Sequence, residues 1–356
     1  MDKIRLIHVG LGAWGSAWAR DVFPHPNVEV VAYVDKSEAA LASLRAQRNI
    51  SPDSCFASLT EAMRGVDSDA VLVCLPTQLH APVATEALLA DKHAVVEKPF
   101  ASTIQEAMDL VRLAEARRRV LMVSQNYRYF PATILAAEWV RKGRFGRLGQ
   151  VKIDFRRNTL NDGHNYLDLE HPLLVDMAVH HYDLARMILG EDPIELSCRT
   201  WNPVGSPFSG HASGAFTMTF PSGAVISYRG SWVDQAERTS WAGEWQMDFE
   251  KGSVTFTSRS GGSDWLPNER LEAKKLRGEA EAQVLPKVKL HGRKGVMEAF
   301  ATAIRTGKEP PNFPSGRSNL VTLAIIEATL RSSAAAGASV AIGDILAASM
   351  KERAET

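Results

Sequence analysis

A carboxylate one helical turn before a histidine can orient the ring and raise its basicity, which a general base for a hydroxyl proton requires. In "DMAVHHYDL", Asp176, His180 and Asp183 stand at i, i+4 and i+7, on one face of a helix. A second group of interest is Lys98 in "EKPF". An ammonium in a cleft can hydrogen-bond a reacting hydroxyl and, once desolvated, titrates nearer working pH. The plainer alternatives are a helix face with ion pairs and a surface lysine.

A third constellation, "GLGAWG", follows an apolar run and opens a helical pattern. Its glycines, Gly10, Gly12 and Gly15, fall where a tight turn, close approach to a pyrophosphate and close helix packing each exclude a side chain. The helix start then offers backbone N–H groups to phosphates. The next strand, "VEVVAYVD", ends in Asp35, twenty residues past Gly15. A carboxylate there accepts from the adenosine ribose hydroxyls and repels a 2′-phosphate, so NAD is favoured over NADP, although Lys36 offsets part of that repulsion. Asp35 could instead cap the following helix, and Trp14 could border the nicotinamide or simply pack.

The elements that position these groups follow from periodicity. From Lys3 to about Gln125, apolar runs ("IRLIHV", "VEVVAYV", "AVLVCL", "HAVVEK", "VLMVSQ") alternate with helical patterns, which predicts a parallel sheet with crossover helices. Ser58 with Glu61 and Ser102 with Gln105 have capping-box spacing. Ligands bind at the C-terminal strand ends of such sheets, which is where "LPTQLH" and "EKPF" carry Thr77, His80, Glu97 and Lys98. A lone histidine such as His80, opening a helix, is more often structural. From Val151 onward five strand-like segments predict a mainly antiparallel sheet, interrupted by a helix from Leu173 to Leu189 that Gly190 stops. Apolar helices follow at about Val296–Arg305 and Leu320–Ala336, and Ser258 to Lys294 reads as a long polar surface excursion. The fold class is therefore α/β, with an N-terminal Rossmann domain over residues 1–125 and a C-terminal α/β domain over 126–356.

Composition narrows the function. The 356 residues hold 41 Lys plus Arg and 41 Asp plus Glu, so no net charge recruits nucleic acid or an anionic membrane. Three scattered cysteines, Cys55, Cys74 and Cys198, read as buried thiols in a reducing compartment, and the absence of a leader or a long apolar run predicts a cytoplasmic protein. His164, His171 and His181 have no compact metal-ligand spacing, so no metal is expected.

Taken together, "GLGAWG", Glu97-Lys98-Pro99, "DMAVHHYDLARMILG" and the C-terminal run from "FATAIRTGKEPP" to "AAAGASV" resemble the Gfo/Idh/MocA oxidoreductases over nearly the whole chain. The resemblance implies a Rossmann domain, an open antiparallel sheet that builds homodimers or homotetramers, and hydride exchange between a sugar or polyol carbon and a nicotinamide. It makes Lys98, Asp176 and His180 the catalytic trio. It sets Gly10, Gly12, Gly15, Asp35, Thr77, His80 and Glu97 along NAD, and Ala13, Trp14, Lys36, Leu75, Pro76, Lys98 and Asn126 are the further candidates for the cofactor site.

The chain departs from the family pattern at "DLEHPLLV", where a glycine cluster is common, and at Ala178, where glycine is frequent. The polar, aromatic stretch around Asn158, Asp162, His164, Asn165 and Tyr166, together with His181, suits hydroxyl recognition. Arg128, Arg156 and Arg157 suit an acidic substituent, or alternatively serve as ion-pair partners. The expected function is an NAD-dependent dehydrogenase of a sugar, polyol or glycoside. The alternatives are a redox-neutral, NAD-using glycoside hydrolase or lyase, with Tyr166, His181 or His164 as extra acid or base, and a non-catalytic dinucleotide-binding protein.

Overall fold

The computed structural model describes residues 2–158, 167–259 and 269–354. They divide into two compact units, one running to Asn126 and including Leu290–Leu320, the other holding Tyr127–Lys289 and the chain from Val321.

The first unit alternates β1 (Ile4–Val9), α1 (Ala13–Asp21), β2 (Val28–Val34), α2 (Glu38–Arg48), β3 (Cys55–Phe56), α3 (Leu59–Gly65), β4 (Ala70–Val73), α4 (His80–Leu89), β5 (His93–Val96), α5 (Ile104–Ala116) and β6 (Leu121–Val123). Its sheet has the order β3-β2-β1-β4-β5-β6 with parallel pairing throughout. Strands covered on both faces need apolar residues at nearly every position, and Leu6, Ile7, Val71, Leu72, Val73, Val95 and Val96 are all buried. The order reverses between β1 and β4, which opens the crevice where such sheets take ligands.

Ser58 caps α3 through the Glu61 N–H. The capping box of α5 is formed by Thr103 and Glu106, one residue beyond the expected Ser102 and Gln105, because Thr103 is the last extended residue before the helix. Of the three cysteines, Cys74 and Cys198 are buried and Cys55 is half-buried, which corrects the expectation of three buried thiols.

Leu290–Leu320 belongs to this unit, whereas sequence periodicity assigned everything after residue 125 to the second. An edge strand is the physical reason. β6 pairs with β5 on one side, and on the other Met122 bridges Ser315 and the Val123 N–H donates to the Pro314 carbonyl at 2.9 Å.

The second unit contains α6 (Pro131–Arg141), β7 (Leu148–Arg156), a π-helical turn at Leu173–Met177, α7 (Ala178–Leu189), β8 (Glu195–Trp201), β9 (Ser213–Thr219), β10 (Val225–Ser231), β11 (Glu244–Phe249), β12 (Gly252–Thr257), β13 (Arg270–Lys275) and β14 (Ala280–Ala282). Then come α8 (Gly292–Thr306) in the first unit, α9 (Gly316–Ala334), β15 (Val340–Ala341) and α10 (Ile342–Ala354). Among the described residues the second sheet has the order β14-β13-β12-β11-β7-β10-β9-β8-β15. It is antiparallel except for β7 and β10, which run parallel.

β13 and β14 lie inside the expected surface excursion, which is therefore partly sheet. Their charged sequences, "RLEAKK" and "AEA", are those of edge strands. One face of the sheet buries Val151, Ile153 and Phe155, while the other carries an ion-pair ladder of Arg156, Asp154, Glu244, Arg229 and Asp234.

Candidate active site

In the first unit, the turn after β1 is shaped by backbone contact. Gly10 has φ +96°, and a Cβ there would lie 2.2 Å from the Cys74 carbonyl oxygen. At Gly15 a Cβ would lie 1.9 Å from the Gly10 oxygen, so α1 packs on the turn only without a side chain. Around Gly12 a Cβ would meet nothing within 4 Å, which leaves the start of α1 open for a phosphate. Asp35 closes the ribose end of this cradle. Its Oδ2 accepts from the Leu11 N–H at 2.7 Å and its Oδ1 from the Ser37 N–H at 2.8 Å, each with a lone pair left for a sugar hydroxyl. The cradle thus fits a dinucleotide without a 2′-phosphate. Trp14 is 52% exposed beside it, while Ala13 opens α1 and Lys36 lies on the surface.

Lys98 follows β5 on a built support. The Glu97 carboxylate accepts from Trp18 Nε1 at 2.7 Å, from the Ser124 hydroxyl at 3.1 Å and, through its other oxygen, from the Lys98 N–H at 3.0 Å. His80 is wholly buried, with Nδ1 2.8 Å from the Pro99 carbonyl and Nε2 2.8 Å from that of Leu75. It is therefore a staple between the loops after β4 and β5. Burial pushes its pKa down, and the two carbonyls oppose that shift. Leu75, Pro76 and Thr77 form the loop and short turn that His80 ties, and Asn126 is buried at the start of a turn to Tyr129.

The residues missed by sequence reading here are Trp18, Ser124 and Arg293. Arg293 reaches Asp21 at 3.4 Å and lies over the Trp18 ring at 5.7 Å, closing one side of α1. Only the return of Leu290–Leu320 to this unit brings Arg293 there.

In the second unit, the π-helical turn contains Asp176 and α7 carries His180. π-turns insert a residue into helical register and often mark functional sites. The register change shifts Asp176 against His180 and Asp183, which stay three residues apart in α7. Asp183 receives Arg128 in a two-bond pair, with Nε to Oδ2 and Nη2 to Oδ1 both at 2.6 Å and both side chains buried. Arg128 is thus held in a buried ion pair, the ion-pair alternative of its two expected roles.

Arg156 is an ion-pair partner too. It binds Asp154, Glu244 (2.8 Å) and the Glu237 carbonyl (3.0 Å) on the ladder face of the sheet. His181, also expected at the substrate, is fully buried between the Tyr228 hydroxyl at 3.1 Å and the Trp241 carbonyl at 3.2 Å, and burial pushes its pKa to about 4. It is a neutral packing residue. Asp162, His164, Asn165 and Tyr166 lie outside the described residues. Asn158 forms an isolated bridge with Val233.

His180 is 6% exposed, and its ring stacks on that of Tyr127, with centroids 4.1 Å apart and planes within 1°. Arg157 lies over Trp241 at 4.0 Å in the same unit. What the two units hold is a dinucleotide cradle, a lysine fixed at a strand end, and a carboxylate and imidazole on consecutive helical turns.

Residues 4–125 match the description "Oxidoreductase family, NAD-binding Rossmann fold", and residues 133–255 match "GFO/IDH/MocA C-terminal domain". The chain belongs to the Gfo/Idh/MocA oxidoreductase family. Its cofactor is NAD, bound by the Rossmann domain, and the family is one of oxidoreductases.

Among relatives, y4oX of Sinorhizobium fredii is 27% identical over 72% of this chain and 73% of its own length. Inositol 2-dehydrogenase of Rhizobium meliloti is 26% identical over 54% of this chain and 57% of its own. A glycosyl hydrolase family 109 protein of Shewanella is 33% identical, but over 42% of this chain and 34% of its own. The match thus spans less than two thirds of the length of each of these last two relatives. A solved inositol dehydrogenase homologue from Azotobacter vinelandii, in complex with NADH and myo-inositol, shares the fold with TM-score 0.81 and 18% identity, covering 96% of this chain and 98% of its own. Among the described residues, no helix is long and apolar enough to cross a membrane.

Proposed function

We propose that this family member oxidises a hydroxyl-bearing carbon of a sugar or polyol, with Lys98, Asp176 and His180 as its catalytic residues. The observation that carries the reading is the support behind Lys98. Glu97 and His80, with their partners Trp18, Ser124, Leu75 and Pro99, hold one strand end in place, which a merely solvated lysine does not need.

In this reading Lys98 donates a hydrogen bond to the carbinol oxygen and stabilises the negative charge that grows there. His180 accepts the hydroxyl proton on its imidazole, and Asp176 orients that imidazole or binds a neighbouring hydroxyl. Bound NAD supplies the hydride acceptor. Asp35 selects it over NADP. Arg157, whose guanidinium lies over the Trp241 ring at 4.0 Å, is a candidate to meet an acidic substituent. The enzyme acts in the cytoplasm as a homodimer or homotetramer.

The family 109 relatives favour a second reading, in which oxidation is transient and a glycosidic bond is eliminated. Incubation with NAD and a panel of sugars, polyols, sugar acids and aryl glycosides, following NADH absorbance and aglycone together, separates the two. NADH accumulation is the expected result. Aglycone release without NADH would replace the dehydrogenase with the redox-neutral reaction, and neither signal would reject both.

A further inference from the structure

A histidine on a helix is fixed at its Cα by the backbone, but its ring still turns about χ1 and χ2. A general base must hold its lone pair on the proton it removes, because misplacement by about 1 Å can cost roughly a hundredfold in rate. What restrains the His180 ring is therefore as consequential as the helix that carries it.

The structure places the Tyr127 ring against the His180 ring. Tyr127 lies parallel to it at 4.1 Å, the stacked arrangement in which one flat face blocks rotation of another. Tyr127 is only 2% exposed and sits in the short turn Asn126–Tyr129, where the Thr133 hydroxyl donates to its carbonyl at 3.0 Å. The phenol end is held as well. Arg259 donates a hydrogen bond to the phenolic oxygen and lays its guanidinium over the ring at 4.5 Å from the centroid.

Arg259 is built into place at a cost. Its φ of +57° lies in the left-handed region, which residues with a Cβ adopt rarely. Two backbone hydrogen bonds hold it there: its N–H donates to Glu269 Oε1 at 2.6 Å, and its carbonyl accepts from the Trp241 N–H at 2.9 Å. Glu269 also accepts from the Ser258 hydroxyl at 2.6 Å and from the Ala132 N–H at 3.1 Å, so it ties this strained residue to the start of α6. On its far side Arg259 approaches the Trp241 ring at 5.7 Å. Strained residues held by their surroundings in this way concentrate at functional sites.

We propose that Tyr127 is a positioning residue that sets the plane of the His180 imidazole, and that Arg259 in turn fixes Tyr127. The inference rests on the reading of His180 as the general base and adds two residues which that reading does not use. Neither touches the reacting atoms. Both act through the orientation of the base, so their loss should lower turnover while leaving cofactor binding, which the first unit provides, unchanged.

The test combines a spectroscopic and a kinetic readout on the full chain. Stacking moves the His180 ring protons upfield in the NMR spectrum of histidine-labelled protein, with the signal assigned by its disappearance in His180→Asn. Tyr127→Leu is expected to abolish that shift and to lower kcat by about 10- to 100-fold on the substrate that the panel above identifies, with the NAD dissociation constant unchanged. Tyr127→Phe keeps the ring and should restore the shift and most of the turnover. Arg259→Gln tests the same link without emptying a buried site, and should weaken the upfield shift and lower kcat without raising KM for NAD.

An upfield shift that survives Tyr127→Leu, or one that vanishes with kcat at the wild-type value, would overturn the inference. Wild-type kcat in His180→Asn would overturn the underlying reading and the inference with it. Loss of turnover in His180→Asn beside unchanged turnover in Tyr127→Leu would remove the inference alone.

Discussion

The Arg128 guanidinium and the Asp183 carboxylate are both almost wholly removed from water, and the two 2.6 Å bonds between them are what make that burial tolerable. Removing one partner strands the other charge in a low-dielectric interior, which costs about 3–5 kcal/mol. Arg128→Leu should therefore lower the urea midpoint by that amount of stability, and Arg128→Leu with Asp183→Leu should recover much of it. A loss confined to activity would show that Arg128 serves substrate after all. Asp35 makes a different prediction. Its carboxylate is fixed at the glycine turn by the Leu11 and Ser37 N–H groups, where a 2′-phosphate would meet a like charge. Like-charge juxtaposition costs several kcal/mol, so Asp35→Ser should narrow the preference for NAD over NADP by roughly tenfold or more, read by titrating both cofactors.

The turn joining β1 to α1 tolerates no side chain at Gly15, because a Cβ there would lie 1.9 Å from a backbone oxygen of the same turn. Gly15→Ala must push α1 off the turn and disperse the N–H groups that face the phosphates. NAD affinity measured by fluorescence quenching should fall at least about tenfold, or roughly 1.4 kcal/mol, while the protein stays folded. Undiminished affinity would show that the phosphates are held elsewhere.

This turn was legible in the sequence because its demands are local, with three glycines and an acid at set spacings after a strand. The alternation of β1 to β6 was legible for the same reason. The π-turn around Asp176 was not, since a single inserted residue leaves the apolar pattern of "LLVDMAVHHYDL" intact while shifting Asp176 in register against His180 and Asp183. β13 and β14 were hidden because edge strands carry the charged residues that otherwise mark a loop. The roles of Arg128, Arg156 and His181 depended on partners 55, 88 and 60 residues away, which no spacing rule encodes.

Several histidines across the chain are buried as neutral rings, which links stability to pH. Burial pushes His8 to about 3 and His181 to about 4, against 6.5 in an unfolded chain. The folded state therefore binds fewer protons than the unfolded state between those values. The stability held above about pH 6.5 is lost as pH falls toward 4 and then 3. At pH 5 each of the two rings costs about 2 kcal/mol, so urea midpoints should drop clearly between pH 7 and pH 5. His181→Gln should flatten that dependence, whereas an unchanged slope would mean that carboxylates govern it.

Lys98 and His180 are proposed to perform an NAD-dependent oxidation, with cofactor binding left to the glycine turn. The most direct measurement is the rate of NADH formation by Lys98→Met and His180→Asn beside the wild type, with NAD affinity determined on the same preparations. NAD dissociation constants should be unchanged and turnover lowered by at least about 10²-fold in each variant. NADH formed at the wild-type rate by either variant would contradict that proposal.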